Sequence, residues 1–406
     1  GTIYRYELGR VANPVNVRCY GFSACLRSGR CPTKLVTKYR RAYPEPENRK
    51  VVAGMASFSA HTPRQPRVGG DAAMAKPALR YGQGRFPARR TFAALDLGTN
   101  NCRMLIARPD QDGFFVVDAF SRIVRLGEGL GASGKLSDAA MDRGVAALSI
   151  CAEKLVRRGV DLSRSVATEA CRRAANGAEF ADRVLRETGI KLDIITAEEE
   201  ARLAVTGCHK LLEAGDGPAL VFDIGGGSTE LIVVDTRDEE PQTLDWLSVP
   251  WGVVSLAESE ARDVADRDDR LSAYARMRGR VSDAFRDFAA RQNAVHPTFR
   301  LLGTSGTVTT LASVYLELPR YDRRQIDGLM VPSEAMRMIS TKLSSLSIHE
   351  RAELAFIGHE RADLVVAGCA ILEAILDIWP APRVGVADRG IREGILRQLM
   401  ATDKRR

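Results

Sequence analysis

The apolar positions of this chain fall into two regimes. From residue 92 onward they gather into short blocks that end on acids and glycines; before it they show no sustained period of 2.0 or 3.6. The first block, Phe92-Ala-Ala-Leu, runs into Asp96, passes through Gly98-Thr99-Asn100 and resumes at Met104-Leu-Ile-Ala107. That pattern predicts a buried strand, a tight turn and a second strand. The same pattern returns at Leu220-Val-Phe-Asp223, Gly225-Gly226-Gly227-Ser228 and Leu231-Ile-Val-Val. Between the two, Thr196 is placed to N-cap a helix whose first turn carries Glu198, Glu199 and Glu200. A strand-like start at Val166 leads to Arg172, Arg173 and Asn176. A third glycine-bearing strand–turn–helix start spans Arg300 to Ala312, and Asp388-Arg-Gly-Ile-Arg-Glu-Gly is a charged turn into a last helix.

Composition sharpens this division. The chain has 406 residues and a net charge of +8. Residues 1–90 hold 18 Lys and Arg against four acids, a net of +14, and 8 of the 17 prolines. The other 316 residues hold 41 basic and 47 acidic residues, a net of −6. Excess charge with little apolar density predicts a disordered basic tail over 1–90. Three readings of it stay open: a polyanion-binding arm, an Arg-rich targeting segment, or residues outside the native protein, since the chain starts at Gly1 and the first methionines are Met55 and Met74. No seven-residue apolar stretch suggests a secretory signal, and no apolar run is long enough for a membrane span. Eight cysteines include no Cys-x-x-Cys pair and stand without a histidine cluster, which predicts buried free thiols, no structural zinc and a reducing, cytoplasmic compartment.

The chemistry lies in the repeated hairpins. A turn of the Asp-x-Gly-Thr-Asn type presents backbone N–H groups and a small hydroxyl, which suit phosphate oxygens. Asp96 and Asp223 end corresponding strands 127 residues apart. Such a repeat predicts a duplicated α/β domain with a cleft between its halves, each half lending one loop to the same anion. Two acids facing each other across that cleft call for a cation, and Mg²⁺, which takes a few carboxylates with water and phosphate oxygens, is the natural one. One of the three adjacent glutamates, turned to the cleft, would hold and deprotonate a water, and the arginine fork suits phosphate oxygens.

In order, Asp96-Leu-Gly-Thr-Asn, Arg172 with Asn176, Glu199-Glu200-Ala-Arg-Leu, Asp223-Ile-Gly-Gly-Gly-Ser-Thr-Glu230, Gly303-x-Ser-Gly-Thr307 and Asp388-Arg-Gly-Ile-Arg-Glu-Gly resemble the exopolyphosphatase / guanosine pentaphosphate phosphohydrolase (Ppx/GppA) family over roughly 92–400. The resemblance implies two RNase H-like lobes of the actin, Hsp70 and sugar kinase superfold, over 91–210 and 211–406, with the last helix returning to the first lobe. It implies Glu200 as catalytic base, and Gly98, Thr99, Asn100, Arg172, Gly225, Gly226, Gly227, Ser228 and Gly306 as phosphate ligands. Asp223, Glu230 and Asp96 would hold Mg²⁺. The reaction would be Mg²⁺-dependent hydrolysis of the terminal phosphoanhydride of polyphosphate, or of guanosine pentaphosphate. An ATPase or kinase of the superfold and a non-catalytic polyphosphate binder are the other classes. The partners implied are these substrates and a second copy in a homodimer, with neither a membrane nor a specific nucleic acid. The first loop departs from the family at Asn101-Cys-Arg103, where Arg103 either adds a phosphate contact or packs as a strand residue. Five histidines and no His-Asp pair lead to the expectation that the helical HD-type module of longer relatives is absent.

A body of net −6 that binds a polyanion depends on local arginines, loop N–H groups and Mg²⁺ instead of a global field. Deleting residues 1–90 is therefore expected to leave phosphate release nearly intact; a large loss, greatest at low salt, would show that the tail recruits substrate.

Overall fold

The structure is a computed structural model that describes residues 90–404 apart from 112, 213–214, 239–240 and 261–264; the basic tail lies outside the described residues. In the first lobe, β1 (Phe92–Leu97), β2 (Asn101–Asp110) and β3 (Gly113–Ile123) form an antiparallel meander. Helix α1 (Asp138–Arg157) follows, then β4 (Leu162–Ala167), α2 (Glu169–Arg173), α3 (Gly177–Thr188), β5 (Leu192–Ile194) and α4 (Ala197–Cys208). β4 pairs in parallel with β1, and β5 with β4, so the sheet order is β3-β2-β1-β4-β5.

The second lobe repeats the scheme. β6 (Ala219–Ile224), β7 (Thr229–Asp235) and β8 (Gln242–Val249) form the meander, followed by α5 (Val253–Glu258) and α6 (Arg267–Val295). Then come β9 (Arg300–Thr304), α7 (Gly306–Tyr315), β10 (Met330–Pro332), α8 (Ser333–Ser345), α9 (Val365–Ile378), β11 (Arg383–Ala387) and the terminal α10 (Ile391–Lys404). Its order, β8-β7-β6-β9-β11, is that of the first sheet with the short antiparallel β10 added at the edge. This shared order, with β4 parallel to β1 and β9 parallel to β6, gives the two α/β lobes expected from the repeated hairpins.

The core positions follow the local chemistry. In α1, Ser137 caps the first turn by accepting from Ala140 N, and Ala140, Met141, Gly144, Val145, Leu148 and Cys151 form the apolar stripe buried on the first sheet. The long α6 starts at Asp266, whose carboxylate accepts from Asp268 N and Asp269 N. Val281, Phe285 and Phe288 of α6 and the almost entirely buried α9 fill the second lobe. Cys102, Cys151, Cys171, Cys208 and Cys369 are free and buried. Among the described residues, no helix is long and apolar enough to cross a membrane.

Two helices lie between the sheets. α4 buries Leu203 with Phe92, Ala94 and Leu105 of the first sheet, and buries Ala201, Val205 and Cys208 with Val221, Ile232 and Val234 of the second. α10 leaves the second sheet after β11 and packs Ile395, Leu396 and Met400 on the first. The chain end thereby completes the core of the lobe it began with. Where the helices cross, a Cβ on Gly207 would stand 2.0 Å from Gly390 O, and one on Gly394 would stand 2.1 Å from Leu203 O. No side chain fits at that spacing.

Gly207→Ala and Gly394→Ala are expected to lower stability by about 1–3 kcal/mol or more, as overpacking does. Gly279→Ala, inside α6 with open space around it, is expected to be neutral or to stabilise by up to about 1 kcal/mol. Thermal unfolding of the three variants checks the contrast; similar melting shifts for all three would disprove the crossing constraint.

Candidate active site

The two hairpin turns are built alike. Gly98 N donates to Asn101 O at 2.9 Å, and Gly225 N donates to Ser228 O at 3.0 Å. The strand registers correspond too: Asp96 faces Arg103 across β1–β2, and Asp223 faces Glu230 across β6–β7. Duplication thus sets an arginine in one lobe where the other carries a glutamate.

The turns meet tip to tip. A Cβ on Gly226 would lie 2.9 Å from Thr99 Cβ and 3.0 Å from Asn100 N; one on Gly227 would lie 2.6 Å from Thr99 Oγ1. None of Gly225, Gly226 and Gly227 takes a left-handed backbone. Gly226 and Gly227 are therefore explained by the close approach of the opposite loop, and Gly225 by Ser228 O of its own turn, 3.0 Å from where a Cβ would stand.

Beside this contact lies a cavity of about 170 Å³. It is lined by Asp96, Gly98, Thr99 and Asn100 from the first turn, and by Asp223, Gly225, Gly226, Gly227 and Ser228 from the second. Glu200, Thr304, Gly306 and the arginines Arg103, Arg361, Arg389 and Arg392 also line it. Of the adjacent glutamates, Glu198 is exposed, Glu199 pairs at the surface with Arg164 at 2.9 Å, and Glu200 is buried at 7% exposure. The helical turn decides this. Thr196 accepts from Glu199 N and starts α4, and α4 lies between the sheets, so only the side chain that points inward reaches the cavity.

Two expected site residues stand elsewhere. Arg172 does not line the cavity. It donates to Glu169 at 2.6 Å, to Glu200 at 3.1 Å and to Ile195 O at 2.8 Å. Its fork is filled by protein carboxylates, so it fixes Glu200 in place of a phosphate. Glu230 also lies behind the lining, 1% exposed, accepting from Ser248 Oγ at 2.8 Å. It reaches the site as charge and not as a ligand. Asn176 braces Leu136 through its side chain and has no part in the cavity.

The motif at Asp388 both braces the fold and lines the cavity, where Asp388, Arg389, Gly390, Ile391 and Arg392 all stand. Glu393 accepts from Gly390 N at 3.0 Å and pairs with Arg323 at 2.9 Å, while Arg389 pairs with Asp327 at 2.6 Å. Arg392 from this motif and Arg361 from the approach to α9 reach the cavity. Arg361 also donates to Thr310 Oγ1 at 2.8 Å. The sequence reading missed both as site residues. Arg392 had a signal in its motif; Arg361 stands in no local pattern that distinguishes it from a surface arginine.

Electrostatics follow from crowding acids in a dry space. Burial pushes the Glu200 carboxyl well above its ordinary range, and Glu230 adds to this against the pull of Arg172. Burial does the same to Asp223, reinforced by Glu230 and Asp96. Asp96 is raised by burial and drawn back by Arg392 and Arg103, and its Oδ1 is buried without a partner. Glu230 is raised by burial and eased by Ser228 and Ser248. Burial thus holds Glu200 toward the protonated side while Arg172 orients it, the combination a proton-transferring carboxyl needs.

Repeated α/β lobes, a cleft floored by acids and walled by loop N–H groups and arginines, and an oriented glutamate define a two-lobed enzyme for an anionic, phosphate-bearing ligand. The chain belongs to the Ppx/GppA phosphatase family, whose model matches residues 105–403. It is 29% identical over 311 residues to a putative exopolyphosphatase of Haemophilus influenzae, covering 76% of this chain and 91% of that protein. It is 29% identical over 318 residues to a guanosine-5'-triphosphate,3'-diphosphate pyrophosphatase of Aeromonas hydrophila, covering 77% of this chain and 60% of that protein. It therefore spans well under two thirds of the latter's length. Among solved structures, an exopolyphosphatase from Cytophaga hutchinsonii superposes with a TM-score of 0.69 at 25% identity, covering 77% of this chain and 98% of that one.

The raised carboxyls carry a stability consequence. A group that binds its proton more tightly folded than unfolded stabilises the fold below the ordinary carboxylate range, and that stability is lost as pH rises toward the folded value. In ligand-free protein with metal chelated, Asp223→Asn is expected to raise Tm by about 1–2 °C at pH 8, the shift that about 1 kcal/mol produces in a chain of this size, and by less at pH 4. Equal destabilisation at both pH values would show that the Asp223 charge costs the fold nothing.

Proposed function

We propose that this protein hydrolyses the terminal phosphoanhydride bond of inorganic polyphosphate and releases phosphate. The observation that carries this reading is Glu200, buried at the cavity wall and fixed by Arg172 at 3.1 Å, with Asp96, Asp223 and the two loop turns around the same space. Water held by Glu200 attacks the terminal phosphorus. The bond to the bridging oxygen breaks, the shortened chain leaves with that oxygen, and the water proton passes to Glu200. Backbone N–H groups of the turns and the cavity arginines receive the phosphoryl oxygens, so positioning and charge neutralisation supply most of the rate.

Asp96 and Asp223 fit a hard cation. Mg²⁺ takes one or two carboxylates and completes its shell with water and phosphate oxygens, and Asp96 Oδ1 stands buried and unpartnered. Among the described residues no three His, Cys, Asp or Glu side chains group closely enough to hold a metal alone, which suits an ion shared with the substrate. Bound there, Mg²⁺ would offset the charge of the carboxylates and of the phosphoryl group.

Hydrolysis of guanosine pentaphosphate is the second reading. It is favoured by the name of the Aeromonas relative and by the equal suitability of one cleft for either terminal phosphoanhydride. Polyphosphate is placed first because the relative named a putative exopolyphosphatase is matched over 91% of its length. The five buried free thiols suit a reducing, cytoplasmic setting.

Glu200→Gln is expected to reduce kcat by about 10²–10⁴ with little change in KM, as loss of a general base does. Phosphate release from long polyphosphate, short polyphosphate and guanosine pentaphosphate, with Mg²⁺ and with chelator, tests the reading. Silence on all three with Mg²⁺ would refute it, and full turnover by Glu200→Gln would remove Glu200 as the base.

A further inference from the structure

A charged contact crosses the cleft away from the reacting groups. Arg125, just after β3 in the first lobe, donates from Nη1 to Asp363 Oδ2 at 2.9 Å in the second. Arg125 has a φ of +47°, in the left-handed region where a residue with a Cβ is strained and glycine is not. Its backbone is over-determined. Val124 N and Arg125 N both donate to Asn100 O, at 2.9 and 3.0 Å, and Gly127 N donates to Thr99 O at 2.9 Å. Arg143 donates to Val124 O at 2.8 Å and to Arg125 O at 3.1 Å. The segment is thus the backing of the first phosphate loop, and glycine would satisfy its backbone better than arginine does. What arginine adds is a side chain that reaches the other lobe.

Asp363 is equally well placed. It lies between Arg361 and Leu364, both of which line the cavity. Its segment is anchored by Arg351, buried, which donates to Ala362 O at 2.8 Å. The other oxygen of Asp363, Oδ1, is buried without a partner, so its direct ion pair is with Arg125, with Arg351 adding charge at longer range.

We propose that the Arg125–Asp363 ion pair is a latch that holds the lobes closed, with the Asn100 loop and the Arg361 segment at their working separation. Arg125 is then a positioning residue: it touches neither substrate nor reacting atoms, and it sets the fraction of molecules whose cleft is ready to bind. A smaller closed fraction weakens apparent binding in proportion and leaves the chemical step alone. This inference rests on the hydrolase reading for its kinetic test, and on the lobe geometry alone for its physical one.

The test compares wild type, Arg125→Gly, Asp363→Asn, the double variant and the charge swap Arg125→Asp with Asp363→Arg. Aspartate tolerates the left-handed backbone better than most residues. Each single variant is expected to raise KM for long polyphosphate about tenfold with kcat within about twofold, as a tenfold loss of the closed state does. The double variant should be no worse than either single, the swap should recover part of the loss, and Arg125→Gly should keep or raise the wild-type Tm. Unchanged KM in both single variants, or losses that multiply in the double, would overturn the latch. Should wild type release no phosphate, the hydrolase reading fails by itself. Small-angle scattering of the ligand-free proteins then decides the latch: a larger radius of gyration in both single variants supports it, and an unchanged radius overturns it.

Discussion

The crossing of α4 and α10 is the constraint from which the cleft follows. At Gly207 and Gly394 one helix backbone lies against the carbonyls of the other, too close for any Cβ. Helices usually pack at 8–10 Å between axes because side chains separate them; glycines at the contact remove that spacer. α4 carries Glu200 and gives apolar faces to both sheets, while α10 leaves the second sheet and closes the first. A small shift of this crossing would move Glu200 relative to Asp223, because they belong to elements whose relative placement passes through it. Packed interfaces of this kind take discrete arrangements instead of deforming smoothly.

On that frame the protein concentrates unfavourable charge. Asp96, Glu200, Asp223 and Glu230 lie in one dry region, and burial raises all four toward protonation. Duplication explains the pattern. Equivalent positions of the two hairpins carry Asp96 with Arg103 and Asp223 with Glu230, so the second lobe supplies the excess of acid. Arg172 stabilises Glu200 from behind, and Arg103, Arg361, Arg389 and Arg392 surround the space a phosphate would occupy. Burial leaves these acids and arginines with charge that a bound phosphate and cation would help to balance. Local stability has been exchanged for function, as is common where a site must bind ions tightly.

Much of this was legible along the chain, for a physical reason. A strand that ends on an acid and a glycine turn is a local object, so both hairpins and their repeat could be read from apolar runs and punctuation. The N-cap at Thr196 was local as well. What failed was the assignment of long side chains. Arginine reaches far enough for its partner to be set by tertiary neighbours, and Arg172, next to no acid but Glu169 in sequence, found Glu200 through the fold. Arg361 reached the cavity from a segment with no signature. The Gly225–Gly227 run could be read as a loop for phosphates, whereas Gly226 and Gly227 also answer to Thr99 and Asn100 opposite.

The sequence by itself determined the elements, the duplication and the set of chemical groups available, because these depend on periodicity, turn residues and residue type within a few positions. Only the tertiary structure decided which of Glu198, Glu199 and Glu200 faces the cavity, which arginines line that cavity and which are taken up by carboxylates behind it, and that the chain's last helix completes its first lobe. Those outcomes depend on which groups share a dry space after residues more than a hundred positions apart have packed, and burial and charge pairing act on distance in space, not on distance along the chain.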